Sequence, residues 1–388
     1  VKRTVAVVTT SRADYAHLYW PLRELAAQPA VDLKVIALGP HLSPEFGHTG
    51  DQIERDGFAL DARIESALSS DTDVGMAKSI GVAVLGLAEH LGRSRPDVLV
   101  LTADRYEMLA PAAVATALRI PLAHIEGGEI SEGAIDDAIR NALTKLSHVH
   151  FTSTPRARAR VIAMGEQPWR VHCAGAPALD HLTRNPLLSR EEVEARLGVA
   201  IAAPAAVVAY HPVTIARDTT READALFRAL AALPAQVLFC YPNADAGGRA
   251  LIDRAKAFVA GSARHRLFVN LDPILYWSLL RQVDLVLGNS SSGIMEAASF
   301  ALPAIDVGMR QRGRERGRNV LDAHADPEAI LKQAARALDP DFRQTLRGMA
   351  NPYGDGASAQ RIAAVLATVP LGEALLVKRS DTGDEDGA

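Results

Sequence analysis

Acidic side chains gather where apolar runs end. Residues 124–129 read His124-Ile125-Glu126-Gly127-Gly128-Glu129, and a short spacer leads to Ile135-Asp136-Asp137-Ala138-Ile139-Arg140. Neighbouring carboxylates raise one another's pKa, so one member of such a group suits acid or base work near neutral pH. Upstream, Thr102-Ala103-Asp104-Arg105-Tyr106-Glu107 sets another acid just past an apolar run. Asp104 there is either a site carboxylate or a helix cap. In the second half Tyr210-His211-Pro212-Val213-Thr214 ends an apolar run in the same way. His211 is a candidate proton carrier or phosphate ligand. His124 beside its acids raises the question of a metal. The spacing is not HExxH, and neither thiolates nor further histidines accompany it, so no metal is expected.

A second group of residues suits anions. Thr9-Thr10-Ser11-Arg12-Ala13-Asp14 follows the first apolar run. Free N–H groups at a helix start, together with Arg12, would meet a phosphate; otherwise Ser11 is a plain N-cap and Arg12 a surface residue. Gly288-Asn289-Ser290-Ser291-Ser292-Gly293-Ile294-Met295-Glu296 is a Gly/Ser turn whose N–H groups and hydroxyls fit a diphosphate. Glu296 would accept from ribose hydroxyls, or simply suit the helix dipole. Met309–Arg318 reads MRQRGRERGR, with five arginines in ten residues. Such a loop suits a nucleotide diphosphate sugar. It lacks the interleaved aromatics that stack RNA bases.

These residues need elements to hold them. Strand-like runs are Thr4–Thr9, Leu33–Leu38, Asp97–Leu101, Pro121–His124 and His148–Ser153, then Ala205–Tyr210, Gln236–Tyr241, Arg266–Asn270, Asp284–Leu287 and Ala304–Val307. Most are continuously apolar, as in parallel strands covered on both faces. Amphipathic stretches such as Tyr15–Ala27, Met76–Arg93, Thr220–Leu233 and Pro273–Arg281 lie between them. The alternation predicts an α/β protein of two Rossmann-like domains facing a cleft. The first covers 1–178 and carries the acids. The second covers 179–368 and binds the nucleotide, after a helix start at Ser189-Arg190-Glu191-Glu192. Residues 369–388 form a tail, and Lys378–Ala388 has the polar, acidic composition of disorder.

Composition narrows the classes further. The chain has 388 residues, 48% of them hydrophobic, and a net charge of −4, which excludes general disorder and a strongly basic nucleic-acid binder. Cys173 and Cys240 are too few for a disulfide scaffold, and their apolar surroundings predict buried, inert thiols. No run approaches about 18 uninterrupted apolar residues, and Thr4–Val8 is too short for a signal segment. A cytoplasmic protein without nucleic-acid or membrane partners is expected.

Taken together, SRADY, HLSPEFGHT, DRYE, HIEGGE, IDDAIR, TKLSHVHFTST, YHPVT, PNADAG, GNSSSGIME and RQRGRERGRNV stand in this order between Thr4 and Tyr353. In that order they resemble the hydrolysing UDP-N-acetylglucosamine 2-epimerases of sialic acid synthesis, including the legionaminic-acid branch that uses nucleotide-linked diacetylbacillosamine. The resemblance implies the GT-B architecture, no cofactor, no metal, a nucleotide-sugar substrate and a homo-oligomer, dimer or tetramer. It implies a sugar site lined by Asp104, Glu126, Asp136 and His211, and nucleotide contacts from Arg12, Asn243, Ser290, Ser291, Glu296 and Arg314. An extra spacer residue leaves Asp136 and Asp137 alternative matches. The chain departs from the family at Ala103, where Gly is common, at Asn141, where His is common, and at His48, where Asn is common. The implied chemistry is elimination of the nucleotide to a 2-acetamidoglycal followed by hydration. A non-hydrolysing epimerase, a GT-B glycosyltransferase and a silent sugar-nucleotide binding protein are the competing readings.

Overall fold

The computed structural model describes residues 2–379 except Glu45, Phe46, Asp71, Gly133, Thr214, Arg217, Thr219, 243–247 and Asn270. The chain divides into two compact units. One comprises Val1–Glu129, Asp136–His181 and Tyr353–Ala388; the other comprises Ile130–Ile135 and Leu182–Pro352.

In the first unit the described strands are β1 (Arg3–Thr9), β2 (Val31–Leu38), β3 (Leu60–Ile64), β4 (Val98–Thr102), β5 (Leu122–Ile125), β6 (Val149–Thr152) and β7 (Val171–Cys173). They form one parallel sheet in the order β3-β2-β1-β4-β5-β6-β7. Alternate residues of the central strands face opposite ways, so each strand needs cover on both sides. Val5, Val7, Val98 and Val100 pack with Leu18 and Leu22 of the helix Arg12–Ala27 and with Ile362 and Leu366 of the helix Ser358–Thr368. Val8, Leu99 and Leu101 pack with Ala83, Leu87 and Leu91 of the helix Asp73–Ser94. The helix Ser358–Thr368 thus completes a core of the first unit, although it follows the whole second sheet in the chain. The expected second domain, 179–368, included this helix, which belongs to the first unit.

The helix Asp73–Ser94 has an 18-residue window of mean hydropathy 1.3 that is 28% buried. It is long and apolar enough to cross a membrane by composition, a property that core helices share. No uninterrupted apolar run signals it, because Lys78 and four glycines break the pattern.

The second unit holds β8 (Ala205–Ala209), β9 (Gln236–Cys240), β10 (Arg266–Phe268), β11 (Leu285–Gly288), β12 (Ala304–Val307) and β13 (Val320–Ala323). Their order is β10-β9-β8-β11-β12-β13, again parallel. Val208, Val237, Leu226 and Ile330 fill one core, and Val207, Leu238, Leu279 and Val286 fill the other. The helix Arg190–Leu197 starts as read from sequence. Ser189 accepts from the Glu192 N–H at 3.2 Å, and the Glu192 carboxylate accepts from the Ser189 N–H at 2.7 Å.

In both sheets the chain starts in the middle, winds to one edge, then returns to build the other side. The switch points lie between β1 and β4 and between β8 and β11. Carboxyl ends of strands at such points are where open α/β sheets bind ligands.

Three strands were not legible: β3, β7 and β13 are all edge strands, and their patterns mix exposed and half-buried positions. Cys173 is a correction. It closes edge strand β7 and is exposed. Cys240 is partly buried, and burial pushes its thiol up to about 12. The expected tail is also corrected at its start. The Lys378 ammonium donates to Glu166 Oε1 at 2.8 Å and to the carbonyls of Lys145 and Ser147 at 2.7 Å. Residues 380–388 lie outside the described residues.

Candidate active site

At the switch point of the first sheet, β1 ends in Thr9-Thr10 and β4 runs into Ala103-Asp104. Asp14, three residues into the helix Arg12–Ala27, accepts from the Thr10 and Ser11 N–H groups, both at 2.6 Å. Those N–H groups are therefore committed to a built-in carboxylate. The expected anion contact at this helix start is thereby narrowed: the Thr10 and Ser11 N–H groups are taken by Asp14, and the Arg12 side chain is exposed.

Asp104 is not a helix cap. Its carboxylate accepts from Arg140 Nη2, and Arg140 Nη1 also reaches the Glu129 carbonyl at 3.1 Å and Asp137 Oδ1 at 3.5 Å. Arg140 is 2% exposed. The planar guanidinium fork makes several directed bonds at once, which an ammonium cannot do in this arrangement. Asp136 opens the helix Asp136–Leu146 that carries Arg140 about one turn further on. Asn141 donates to Asp137 Oδ2 at 3.3 Å.

Glu126 follows β5 directly and is 6% exposed. Its backbone is left-handed, at φ 66°, a rare state for a non-glycine residue. Its N–H still donates to the Phe151 carbonyl at 2.7 Å. Gly128 completes the turn at φ 80°; a Cβ there would lie 2.5 Å from the Ala157 carbonyl oxygen. Ala103 is likewise left-handed, at φ 56°, which accounts physically for the glycine common at this place in the resembling family.

His124 is fully buried and lowered to about 4, first by burial. Its Nε2–H donates to the Ala103 carbonyl at 2.7 Å, and Nδ1 lies 3.3 Å from the Thr144 hydroxyl. Both ring nitrogens are engaged in tying β5 to the β4 turn, so it serves structure here.

In the second unit Asn289 organises the switch point. The His211 N–H donates to Asn289 Oδ1 at 2.7 Å, and Asn289 Nδ2 donates to the His211 carbonyl at 2.9 Å. One buried amide thus clamps the chain after β8 to the chain after β11. Arg310 Nη1 and Gln311 Nε2 donate to the Asn289 carbonyl at 3.1 and 3.0 Å. Gly288 permits the approach: at φ 147°, a Cβ would stand 2.0 Å from the Ala209 carbonyl oxygen. Burial, and then the Arg310 charge, lower His211 to about 3. His211 is therefore neutral at physiological pH and offers a neutral imidazole, not an imidazolium, to a ligand.

The serine turn follows. Ser290 and Ser292 hydroxyls lie 3.2 Å apart, and Tyr276 Oη lies 2.6 Å from Ser292 Oγ. The helix it opens, Ser292–Met295, is a single turn with Glu296 at its end, and Glu296 is 8% exposed. Arg314 Nη1 lies 3.2 Å from Met295 Sδ. The arginine loop is corrected as a whole-loop phosphate site. Arg316 pairs with Asp306 at 2.5 Å and Asp322 at 2.8 Å, and Arg312 pairs with Glu132 at 3.2 Å. Arg310 and Arg314 are the loop arginines whose described contacts reach the strand-end and helix of the serine turn. Asn243 lies outside the described residues.

The geometry thus gathers Asp104, Arg140, Glu126 and Asp136 around strand ends of one sheet. It gathers His211, Ser290, Ser291, Glu296, Arg310 and Arg314 around those of the other. Sequence reading did not assign roles to His17, Arg140 or Asn289. Arg140 and Asn289 stand inside motifs already singled out, whereas His17 carried no local signal.

Two parallel α/β sheets of this order, each with polar residues at its switch point, define the GT-B class. Residues 23–367 match the family model described as UDP-N-acetylglucosamine 2-epimerase, and the chain belongs to that family. A UDP-N,N'-diacetylbacillosamine 2-epimerase (hydrolyzing) of Legionella pneumophila is 35% identical, over 97% of this chain and 98% of that one. A GDP/UDP-N,N'-diacetylbacillosamine 2-epimerase (hydrolyzing) of Campylobacter jejuni is 34% identical, over 88% of this chain and 89% of that one. The crystal structure of a UDP-GlcNAc 2-epimerase from Neisseria meningitidis bound to UDP-GlcNAc superposes with a TM-score of 0.79 at 16% identity, covering 94% of this chain and 99% of that chain. The chain is accordingly an enzyme of the nucleotide-sugar 2-epimerase class.

Proposed function

We propose that this enzyme is a hydrolysing 2-epimerase. It takes a UDP- or GDP-linked 2-acetamido sugar, UDP-N-acetylglucosamine or a diacetylbacillosamine nucleotide, and releases nucleotide and a free sugar inverted at C2. The product would feed synthesis of a sialic-acid-like sugar in the cytoplasm. The observation that carries the reading is the chemical division between the two switch points: carboxylates and Arg140 at one, hydroxyls, Arg310 and Arg314 at the other. Two relatives with hydrolytic names, at 35% and 34% identity, support the hydrolytic outcome.

The C2 proton of a neutral sugar is too weakly acidic for a carboxylate to remove unaided. Departure of the nucleotide from C1 develops positive charge there and acidifies C2. The C1–O bond breaks with its electron pair leaving on the diphosphate, and the C2–H pair becomes the C1=C2 bond of a glycal. Ser290, Ser291, Arg12 and Arg314 stabilise the leaving diphosphate, the kind of preorganised electrostatics that dominates many barriers. Glu296 accepts from the ribose. Asp104 serves as the base at C2, and Glu126 and Asp136 serve the hydration, one activating water toward C1 and one returning a proton to C2. His211, being neutral, donates a hydrogen bond to the substrate. Asn243 contributes a nucleotide contact.

The test is a panel of UDP- and GDP-linked 2-acetamido sugars, with separate readouts for free nucleotide and free sugar. Equimolar release of both without an acceptor supports the reading. Transfer that requires an acceptor would make the protein a glycosyltransferase, and binding without turnover would make it a carrier.

A further inference from the structure

His17 lies on the helix Arg12–Ala27, and its Nδ1 stands 3.1 Å from both carboxylate oxygens of Glu126, 109 residues away in sequence. An ionised carboxylate only accepts, so with Glu126 charged the imidazole Nδ1–H is the donor. A bond shared equally between the two oxygens fixes the plane of the carboxylate. The His17 side chain is 26% exposed and that of Glu126 is 8% exposed, so the carboxylate is the more enclosed partner. Its backbone is left-handed, a strained state that persists only where surroundings over-determine the position.

Among the described contacts, His124 on β5 and His181 on the helix Asp180–Arg184 are the titratable groups felt by this pair. Burial lowers each to about 4, so both are neutral at pH 7. His181 Nε2–H is spent on the Ala16 carbonyl at 2.8 Å and stacks on Tyr19. His124 is spent on β4, as described above. His17 directs an N–H at both Glu126 oxygens.

We propose that His17 is a positioning residue that holds the Glu126 carboxylate in its working orientation through the bifurcated Nδ1–H bond. The proposal rests on the reading of Glu126 as a reacting carboxylate. His17 itself acts through Glu126 and need not touch the sugar.

The test uses the full chain with H17A, H17N, H17Q and E126Q, each checked for folding by circular dichroism and thermal denaturation. In an Asn side chain Nδ2 falls close to where imidazole Nδ1 stood; in Gln the amide is placed one bond further out. H17A should lower kcat about 10–100-fold, the range for deleting a hydrogen bond to an ionised group, with KM changed less than about threefold. Loss of an N–H donor disfavours the ionised carboxylate, so whichever limb of the pH–rate profile reports Glu126 should move to higher pH. H17N should restore most of the rate and the original profile, and H17Q should not. H17A with wild-type kcat and an unmoved profile would overturn the proposal while E126Q remains inactive. H17N as impaired as H17A would overturn it too, because the Nδ1-like donor would then be irrelevant. Full activity in E126Q would instead remove Glu126 from the mechanism and take the premise with it.

Discussion

Replacing Asn289 should uncouple the second switch point. Its side chain is 0% exposed and satisfies both the N–H and the C=O of His211, at 2.7 and 2.9 Å. Asn289→Ala leaves those two buried backbone groups without partners, at about 2 kcal/mol each. The total, about 4 kcal/mol, corresponds to a fall of roughly 8–16 °C in the melting temperature of a unit this size. Asn289→Asp is the sharper perturbation. It keeps the acceptor for the His211 N–H but turns a carboxylate oxygen toward the His211 carbonyl, so near-isosteric volume does not rescue it. Differential scanning calorimetry reads the stability, and titration with UDP reads the nucleotide site. Both variants should melt lower and bind UDP more weakly, with the aspartate at least as impaired as the alanine. A melting temperature within about 2 °C of wild type for Asn289→Ala, or wild-type behaviour in Asn289→Asp, would refute the clamp.

Acid should destabilise the fold before it titrates the carboxylates. His124, His181 and His211 have folded pKa values lowered to about 4, 4 and 3. Below about pH 6.5 the unfolded chain binds protons that the folded chain refuses, so stability is full above that value and falls as pH drops toward 4. Each contributes about 2 kcal/mol of loss by pH 5, and urea titrations that coincide at pH 7.5 and 5 would contradict this. Arg140→Met should cost about 3 kcal/mol by breaking a buried pair whose Asp104 partner is still partly solvated, and should abolish turnover. UDP affinity should be retained, because Arg140 and the serine turn belong to different units; equal loss of UDP binding would dispute that separation. Ala103→Gly should be neutral or stabilise by up to about 1 kcal/mol, since the left-handed backbone suits glycine. Ala103→Val should destabilise, and the reverse ranking by thermal melts would dismiss the backbone argument.

The centre of each sheet was legible because β1, β4, β8 and β11 are buried on both faces and therefore read as unbroken apolar runs. Three of the four edge strands were not, β10 being the exception: Leu60–Ile64 alternates half-buried and exposed residues, and Val171–Cys173 is too short to carry a pattern. Candidate residues were legible as types at strand ends, but their partners were not. Asp104 meets Arg140 across 36 residues and Glu126 meets His17 across 109, and no local spacing encodes either meeting. The arginine loop misled for the same reason. Five equal-looking cations are told apart by Asp306, Asp322, Glu132, the Asn289 carbonyl and Met295, whose positions depend on the completed fold. The return of the helix Ser358–Thr368 to the first sheet is also a tertiary fact. Its apolar face marks it as packed without naming the sheet it packs on.

In the proposed function, nucleotide departure, C2 epimerisation and water addition all occur on one enzyme. This is tested most directly by turning over UDP-N-acetylglucosamine and the corresponding diacetylbacillosamine nucleotide in heavy water and following both products by NMR. The expected products are free nucleotide and a free, C2-inverted sugar carrying deuterium at C2. A C2-inverted sugar that keeps its nucleotide, or a free sugar with unexchanged protium at C2, would contradict that function.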